Sequence, residues 1–529
     1  MPGKTSQPFL RILSFSLIAI TLPTLTAVAQ DVLTYHNNNA RTGLDVHETH
    51  LTLSNVNSST FGLLFTLPAD GLVDAEPLYI SSVTVNGATH NVVIVVTEHD
   101  SVYAYDADTG KALWHVRTLK AGETPSDDRG CSQVMPEIGI TSTPVIYRPE
   151  TGHPVIYVVA MSKDSSGNYH QRLHALDATS GAEMPGSPIA IMAKHPGTGD
   201  NSSGGYVYFD PSQYKERAGL LMVGSTIYLA WASHCDFRPY TGWIMGYDAR
   251  TLKQTTVLNL TPNGNEGAIW SAGGGMAADN NGNIFLLDAN GVFDTDLNSK
   301  GFPNDGDYGN AFLRLTTSGG LKVADYFEMH NQAEENATDT DLGSGGTLLT
   351  NQKDSNGKTW QLAVGAGKDS NLYVVDRTNM GKFSHSSNNI FQELPDVLGV
   401  GIWSMPATGA DRLYYGPVAS PILEFQFKNA KLLSSPVAKT SVTFPYPGAT
   451  PSISTNAGRH AILWATANTN PAVLYAFNAS TLQMLYNSNQ ASNNRDHFGN
   501  GNKYITPMIA NGKVYVGTQT GVGVFGLLP

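Results

Sequence analysis

The stretch "VVIVVTEHDSVYAYDADTGKALW", residues 92–114, decides how the rest of the chain is read. Its opening apolar run is far shorter than the ~20 apolar residues needed to cross a bilayer. It ends at the polar "TEHD". Residues 101–106 then alternate, "DADTGK" carries the Asp, Thr and Gly of a tight turn, and Trp114 tips the short run after that turn. The pattern predicts three antiparallel strands. A sheet this small cannot bury both of its faces alone, so it must stack on others.

The unit recurs along the chain in degraded form, as "QRLHALDATSGAEM", "WIMGYDARTLKQ", "NLYVVDRTNMGKF" and "VLYAFNASTLQM" among others. About eight units at about 40–60 residues each, with four short strands per unit, predict an all-β chain. The expected architecture is a single eight-bladed β-propeller of four-stranded antiparallel blades. The last unit stops after its third strand at Pro529, and residues 61–71, "FGLLFTLPADG", resemble the missing outer strand. The ring is therefore expected to be closed by this N-terminal strand, which removes an exposed edge. The resulting boundaries are a propeller over 61–529, an extension over 30–60 and a leader over 1–29.

The leader reading rests on Lys4 and Arg11, the apolar stretch after them, and Ala27-Val28-Ala29, which has the small-residue spacing of a cleavage site. No later run is long enough to span a membrane and no lipobox Cys comes after the leader, so a periplasmic or secreted protein without membrane insertion is expected. Losing Lys4 and Arg11 moves the net charge from −12 to −14. Such an acidic chain argues against nucleic acid as a partner. Nothing marks an oligomer, and a monomer is expected. The two cysteines, Cys131 and Cys235, fall in loops on one face of the expected ring. An exported protein could pair them there, the alternative being two buried free thiols.

In a meander, the loops leading into each first strand share one face with those joining the second and third strands. That face collects the long polar segments "RGCSQVMPEIG", "SHCDFRPYTG", "NGNEGAIWS" and "DANGVFDTDLNSKGFPNDGDYGN", and also "MHNQAEENATDTDLGSGG" and "GAGKDSN". Long polar loops on a rigid frame are where a site is expected. Glu137, Glu266, Trp270, Asp341 and Trp403 stand just before first strands and could converge on the axis, where aromatics beside carboxylates suit a flat or sugar-like ligand. The competing reading makes the Trp side chains inter-blade filler and the Gly and Ser residues spacers for crowded strands.

These residues resemble the pyrroloquinoline quinone (PQQ) repeat superfamily, the propellers of the quinoprotein alcohol dehydrogenases. "AYDADTGKALW" is similar to the blade signature and "GAGKDSNLYVVDRTNMGKF" to the Lys-bearing fifth-blade segment. "TYHNNNARTGL" resembles the start of secreted, uncharacterised bacterial members. The resemblance implies that Lys368 contacts the quinone oxygens, that Asn290 and Asp236 ligate Ca²⁺, and that Asp307 is the general base. It implies PQQ and calcium as cofactors and an alcohol or sugar as substrate; Trp270, Trp403, Glu137 and Glu266, from the pattern before the first strands, are the further candidates for holding the cofactor.

The chain departs from that family at "RGCSQ", where Ser132 follows Cys131, so no bond between adjacent cysteines can form. No C-x-x-C-H occurs, so covalent haem is not expected and electrons would need an external acceptor. Asp307 and Asn290 also read as turn residues of a long loop, and Lys368 as a surface turn Lys. The alternative function is a cofactor-free scaffold that binds a protein or glycan partner, as in the outer-membrane assembly lipoprotein of the same superfamily. Propellers host enzymes and scaffolds alike.

Overall fold

The computed structural model describes residues 1–5 and 30–529, so most of the expected leader lies outside the described residues. The regular secondary structure is almost all strand; Gln332–Thr338 is the one α-helix among the described residues. Ten sheets form there, and eight of them repeat one antiparallel meander of four strands, three with a short additional strand. The opening stretch belongs to the first meander, Leu78–Val85, Ala88–Val96, Ser101–Asp106 and Ala112–Arg117. The first strands of the next six are Val145–Tyr147, Leu221–Val223, Ala277–Ala278, Leu348–Lys353, Ala407–Gly409 and Ser452–Asn456. The eighth sheet takes Met508–Ala510, Lys513–Thr518 and Gly521–Leu527 from the end of the chain. Its fourth strand is Phe61–Pro68, in register Leu67↔Val522, the pairing expected from the sequence.

The recurring Asp of the "YDA-x-T" segments makes the turn between third and fourth strands. Asp106 Oδ1 accepts from the Thr109 amide at 2.7 Å and its hydroxyl at 2.8 Å. Asp177, Asp248, Asp376 and Asn478 do the same for the amides of Thr179, Thr251, Thr378 and Ser480, at 2.7–2.9 Å. The side chain replaces a backbone partner that a tight turn cannot supply.

These turns also receive the preceding sheet. Trp114 donates its indole N–H to Ala178 O at 3.0 Å and lies over Gly181, where a Cβ would come within 2.7 Å of the ring. Phe65, in the fourth strand of the eighth sheet, lies over Gly110 of the first sheet in the same way, again at 2.7 Å. Both glycines have positive φ, 71° and 72°, a conformation that also favours glycine. Apolar clusters join the eighth, first and second sheets through Val524, Val95 and Val158. Others join each later pair, down to Trp464 of the seventh sheet against Phe525 of the eighth. Each sheet is thus covered on both faces, and each fully buried Val, Leu or Phe contributes about 1.5–3 kcal/mol.

The extension before Phe61, which the sequence leaves without a role, visits the sheets in order. Val32 pairs with Tyr79 of the first sheet, and Leu33 O accepts from Ile146 of the second. Asn39 bonds Met222 O of the third through its side chain and the Ala278 amide of the fourth through its carbonyl. Ala40, Thr42 and Gly43 carbonyls accept from Leu349, Thr408 and Ile453 of the fifth, sixth and seventh. Glu48 Oε2 accepts from Gly512 in the first turn of the eighth, at 2.9 Å. Residues 32–48 therefore form a belt that touches all eight meanders. Arg41, fully buried, anchors it through Met276 O at 2.9 Å, Tyr35 O at 2.8 Å, Thr34 Oγ1 at 2.7 Å and Leu220 O at 3.2 Å.

Candidate functional site

Strand direction puts the connections into first strands, and those between second and third strands, at one end of the meanders. A cavity of about 370 Å³ lies there, lined only by residues of those connections. Lys368, Trp270, Trp403, Asp341, Asp236 and Cys235, all singled out from the sequence, line it together.

Lys368 follows the second strand of the fifth sheet, Thr359–Ala366. Its Nζ sits between two carboxylates, 2.7 Å from Asp341 Oδ1 and bonded to Asp339 Oδ1. The backbone repeats the link, with Lys368 N donating to Asp341 O at 2.9 Å. Asp339 is brought there by the end of the helix Gln332–Thr338, where it adopts a left-handed φ of 55°. The sequence reading misses it, because nothing in "TDTD" marks which Asp turns inward. Burial pushes the Asp341 carboxyl up to about 7 even with Lys368 against it. Burial opposes the charge on Lys368, but Asp341 and Asp339 outweigh it and hold the ammonium protonated above its ordinary range. Gly401, at φ 111°, lets the Trp403 loop close on this group: a Cβ there would sit 2.8 Å from Lys368 O and 3.1 Å from the Trp403 ring.

The other wall is aromatic and cationic. Arg217 lies over the Tyr504 ring at 4.0 Å and over Trp270 at 5.9 Å, and Tyr504 Oη shares a 3.1 Å hydrogen bond with Tyr446 Oη. Trp403 meets Tyr446 edge-on at 6.1 Å. Burial raises the Tyr504 phenol, but Arg217, Tyr446 and Lys503 outweigh it and the net shift is downward. Lys215, fully buried, lies 5.2 Å over Trp270, and burial, with Arg217 next to it, pulls its ammonium well below the ordinary lysine range. Arg217, Tyr446, Tyr504 and Gln133 are lining residues that the sequence reading does not single out. Arg217, Tyr446 and Tyr504 stand just before first strands, the signal that marks Trp270 and Trp403.

Cys131 and Cys235 form a disulfide, Cα to Cα 5.4 Å, that ties the loop before the second sheet to a loop of the third. Two residues on from Cys131, Gln133 is gripped by Lys215 at its side-chain oxygen, 2.7 Å, and by Lys503 at its carbonyl, 3.3 Å. Cys235 and Asp236 take left-handed φ angles of 51° and 55°, and Asp236 Oδ1 accepts from the Tyr240 hydroxyl at 2.6 Å.

The remaining sequence candidates fall elsewhere. Asn290 abuts the site: its Nδ2 donates to Asp339 Oδ1 at 2.8 Å and its Oδ1 is buried without a partner. Asp307 does not line the cavity; its carboxylate accepts from the Asn263 amide at 2.9 Å, and burial pushes it up to about 6. Glu137 turns to His99 Nδ1 at 2.7 Å. Glu266 also stays outside the lining, raised by burial and by the charge of Asp236. Each of these loops resolves locally, which spacing along the chain cannot foresee.

No protein-family model matches the sequence, and no curated protein is similar to it at the sequence level. Solved structures are similar in fold. The quinohemoprotein alcohol dehydrogenase of Comamonas testosteroni superposes with a TM-score of 0.61 at 14% identity, over 94% of this chain and 80% of that one. The quinohemoprotein alcohol dehydrogenase ADHIIG of Pseudomonas putida HK5 gives 0.60 at 12%, over 94% and 80%. A europium-containing methanol dehydrogenase gives 0.59 at 12%, over 92% and 89%. At such identities the likeness concerns the fold: the chain is a nearly all-β protein with the propeller architecture of quinoprotein dehydrogenases.

Proposed function

We propose that the eight meanders are the blades of one ring, closed where Phe61–Pro68 pairs with Gly521–Leu527, and that the chain is an exported quinoprotein-type oxidoreductase that oxidises an alcohol or sugar with PQQ. The Phe65–Gly110 contact, equivalent to Trp114 on Gly181, supports closure. The observation that carries the function is one cavity in which Lys368 and its two carboxylates face the wall of Trp270, Trp403, Arg217 and Tyr504. PQQ is a flat tricarboxylate. Flat faces suit the tryptophans and its carboxylates suit Arg217, with Lys503 behind the wall, while Lys368, its ammonium held by Asp339 and Asp341, is the group that would meet the quinone oxygens. Bound there, PQQ would supply a two-electron acceptor.

The chain's own residues would manage the proton. Asp341, its carboxyl raised to about 7, is poised to take a hydroxyl proton near neutral pH, a role the sequence reading gives to Asp307. Lys368 would hold Asp341 in place and neutralise its charge. The residues present do not fit calcium. Nζ of Lys368 stands between Asp339 and Asp341, and among the described residues no three His, Cys, Asp or Glu side chains are grouped to hold a metal ion.

A second reading, the cofactor-free scaffold, is favoured by apolar side chains exposed on the same loops, Met135 at 49%, Phe237 at 53% and Val400 at 62%. Calorimetric titration with PQQ separates the two. The enzyme reading expects binding at micromolar or lower Kd, weakened at least about tenfold in Lys368→Ala and unchanged by added Ca²⁺. No heat at about 100 µM PQQ sinks it and directs the search to a protein or glycan partner.

A further inference from the structure

A second cavity, of about 460 Å³, lies at the opposite end of the meanders. Its lining comes from turns between first and second strands, from the fifth sheet, and from the belt residues Ala40, Thr42 and Leu44. It shares no residue with the Lys368 cavity.

The cation here is Arg377, 7% exposed, directly after the third strand of the fifth sheet, Leu372–Asp376. Its backbone N donates to Gln361 O at 2.8 Å, and its guanidinium lies against the Phe285 ring at 5.8 Å. Nη2 donates to Asn351 Oδ1, which leaves Nε buried without a partner. The nearest carboxylate, Asp279, is 3.9 Å from Nη1 and is engaged in its own turn. It accepts the amides of Asn281 and Asn283 at 2.9 Å each, and the Asn283 side chain at 3.0 Å. Asp376 likewise caps Thr378 at 2.9 Å. A desolvated guanidinium with an idle N–H is costly in a fold unless something accepts from it, and its planar fork suits a carboxylate. Around it stand the amides of Asn280, Asn281 and Gln361 and the hydroxyls of Thr42 and Thr350, which suit hydroxyl groups rather than apolar surface.

We propose that this cavity is a binding site for a small hydroxycarboxylate, its carboxylate on Arg377 and its hydroxyls on the surrounding amides and threonines. Because the belt supplies part of the lining, the site exists only when residues 40–44 are seated.

The test is calorimetry on the full mature chain with glycolate, L-lactate and D-gluconate, with D-glucose as the neutral counterpart of gluconate. Two variants accompany it: Arg377→Gln, which removes the charge, and Gln361→Trp, which fills the cavity from an exposed strand position and leaves Arg377 in place. At least one acid should bind at about millimolar Kd or below, glucose at least about tenfold more weakly than gluconate, and both variants should lose at least about tenfold in affinity. The inference is overturned if no acid binds by about 10 mM, if glucose matches gluconate, or if a folded Gln361→Trp protein binds as well as the wild type.

Discussion

Lys368 shows how much one side chain can organise: it ties two carboxylates of one loop to the second strand of its own sheet. Because Asp341 is raised to about 7, the cost of removing its partner must depend on pH. Below that value the Asp341 carboxyl is largely neutral and misses the ammonium little. Above it, a buried carboxylate is left uncompensated. Lys368→Ala should therefore cost about 1–2 kcal/mol near pH 8.5 and less than about half of that near pH 6, measured by urea unfolding at each pH. An equal cost at both would mean that Asp341 titrates elsewhere. The same residues set the limit of what the sequence can tell. Trp270 and Trp403 are legible because they stand in the connections into strands that repeat, and Lys368 because its segment resembles a Lys-bearing blade segment of the quinoprotein family. Asp339 is not, since its inward turn depends on where a seven-residue helix stops. Asp307, Glu137 and Glu266 are acidic loop residues of the same appearance, and only the folded structure shows that they stay outside the cavity lining.

Elements divide in the same way. The meanders are legible from alternation and from the Asp turn, because both are local: a strand has a period of two and the turn closes within a few residues. The disulfide joins residues 104 apart, and its two loops can be matched only because the meander assigns them to one end. The belt cannot be read at all. It meets each sheet through one or two residues, so its contacts have no period, and His36, Asn37 and Arg41 hold left-handed φ values that no propensity foretells. What holds it is Arg41, whose guanidinium bonds four oxygens without a solvent path. Arg41→Ala would strand buried carbonyls and leave a void, so a loss of roughly 2–4 kcal/mol in stability is expected. Hydrogen exchange should localise the change to the first strands that the belt bonds. A variant as stable as the wild type would make the belt an ornament rather than a structural member.

At the scale of the molecule, an acidic sequence invites the view that its carboxylates lie on the surface, and many do not. Glu216 and Glu328 are buried with neither carboxylate oxygen partnered, and burial raises both well above their ordinary range. Burial also raises Glu98, Asp100 and Asp288 well above theirs, and takes Glu76 and Glu335 to about 8. Each such group binds a proton in the folded chain that the unfolded chain releases near pH 4, so its contribution is present at low pH and is lost as pH rises through the folded value. Two buried histidines act in the other direction. Burial lowers His36 to about 4 and His234 to about 3, so folding loses stability as pH falls below about 6.5, where the unfolded imidazole charges. The raised carboxyls outnumber the histidines across that interval, and above it they outnumber Lys215, whose ammonium is pulled well below its ordinary range by burial and so acts in the opposite direction. Salt-bridged carboxylates such as Glu123, held at about 2 by Arg172 and Ser162 against its own desolvation, withdraw their support only below about pH 4. The melting temperature should therefore be several degrees higher near pH 5.5 than near pH 8.5, with a fall through about pH 7–8. Calorimetric scans at constant ionic strength would show it, and proton uptake on folding near neutral pH should accompany it. A melting temperature that rises with pH over this range would mean that the buried carboxyls are ionised in the folded chain, each with a partner not yet seen.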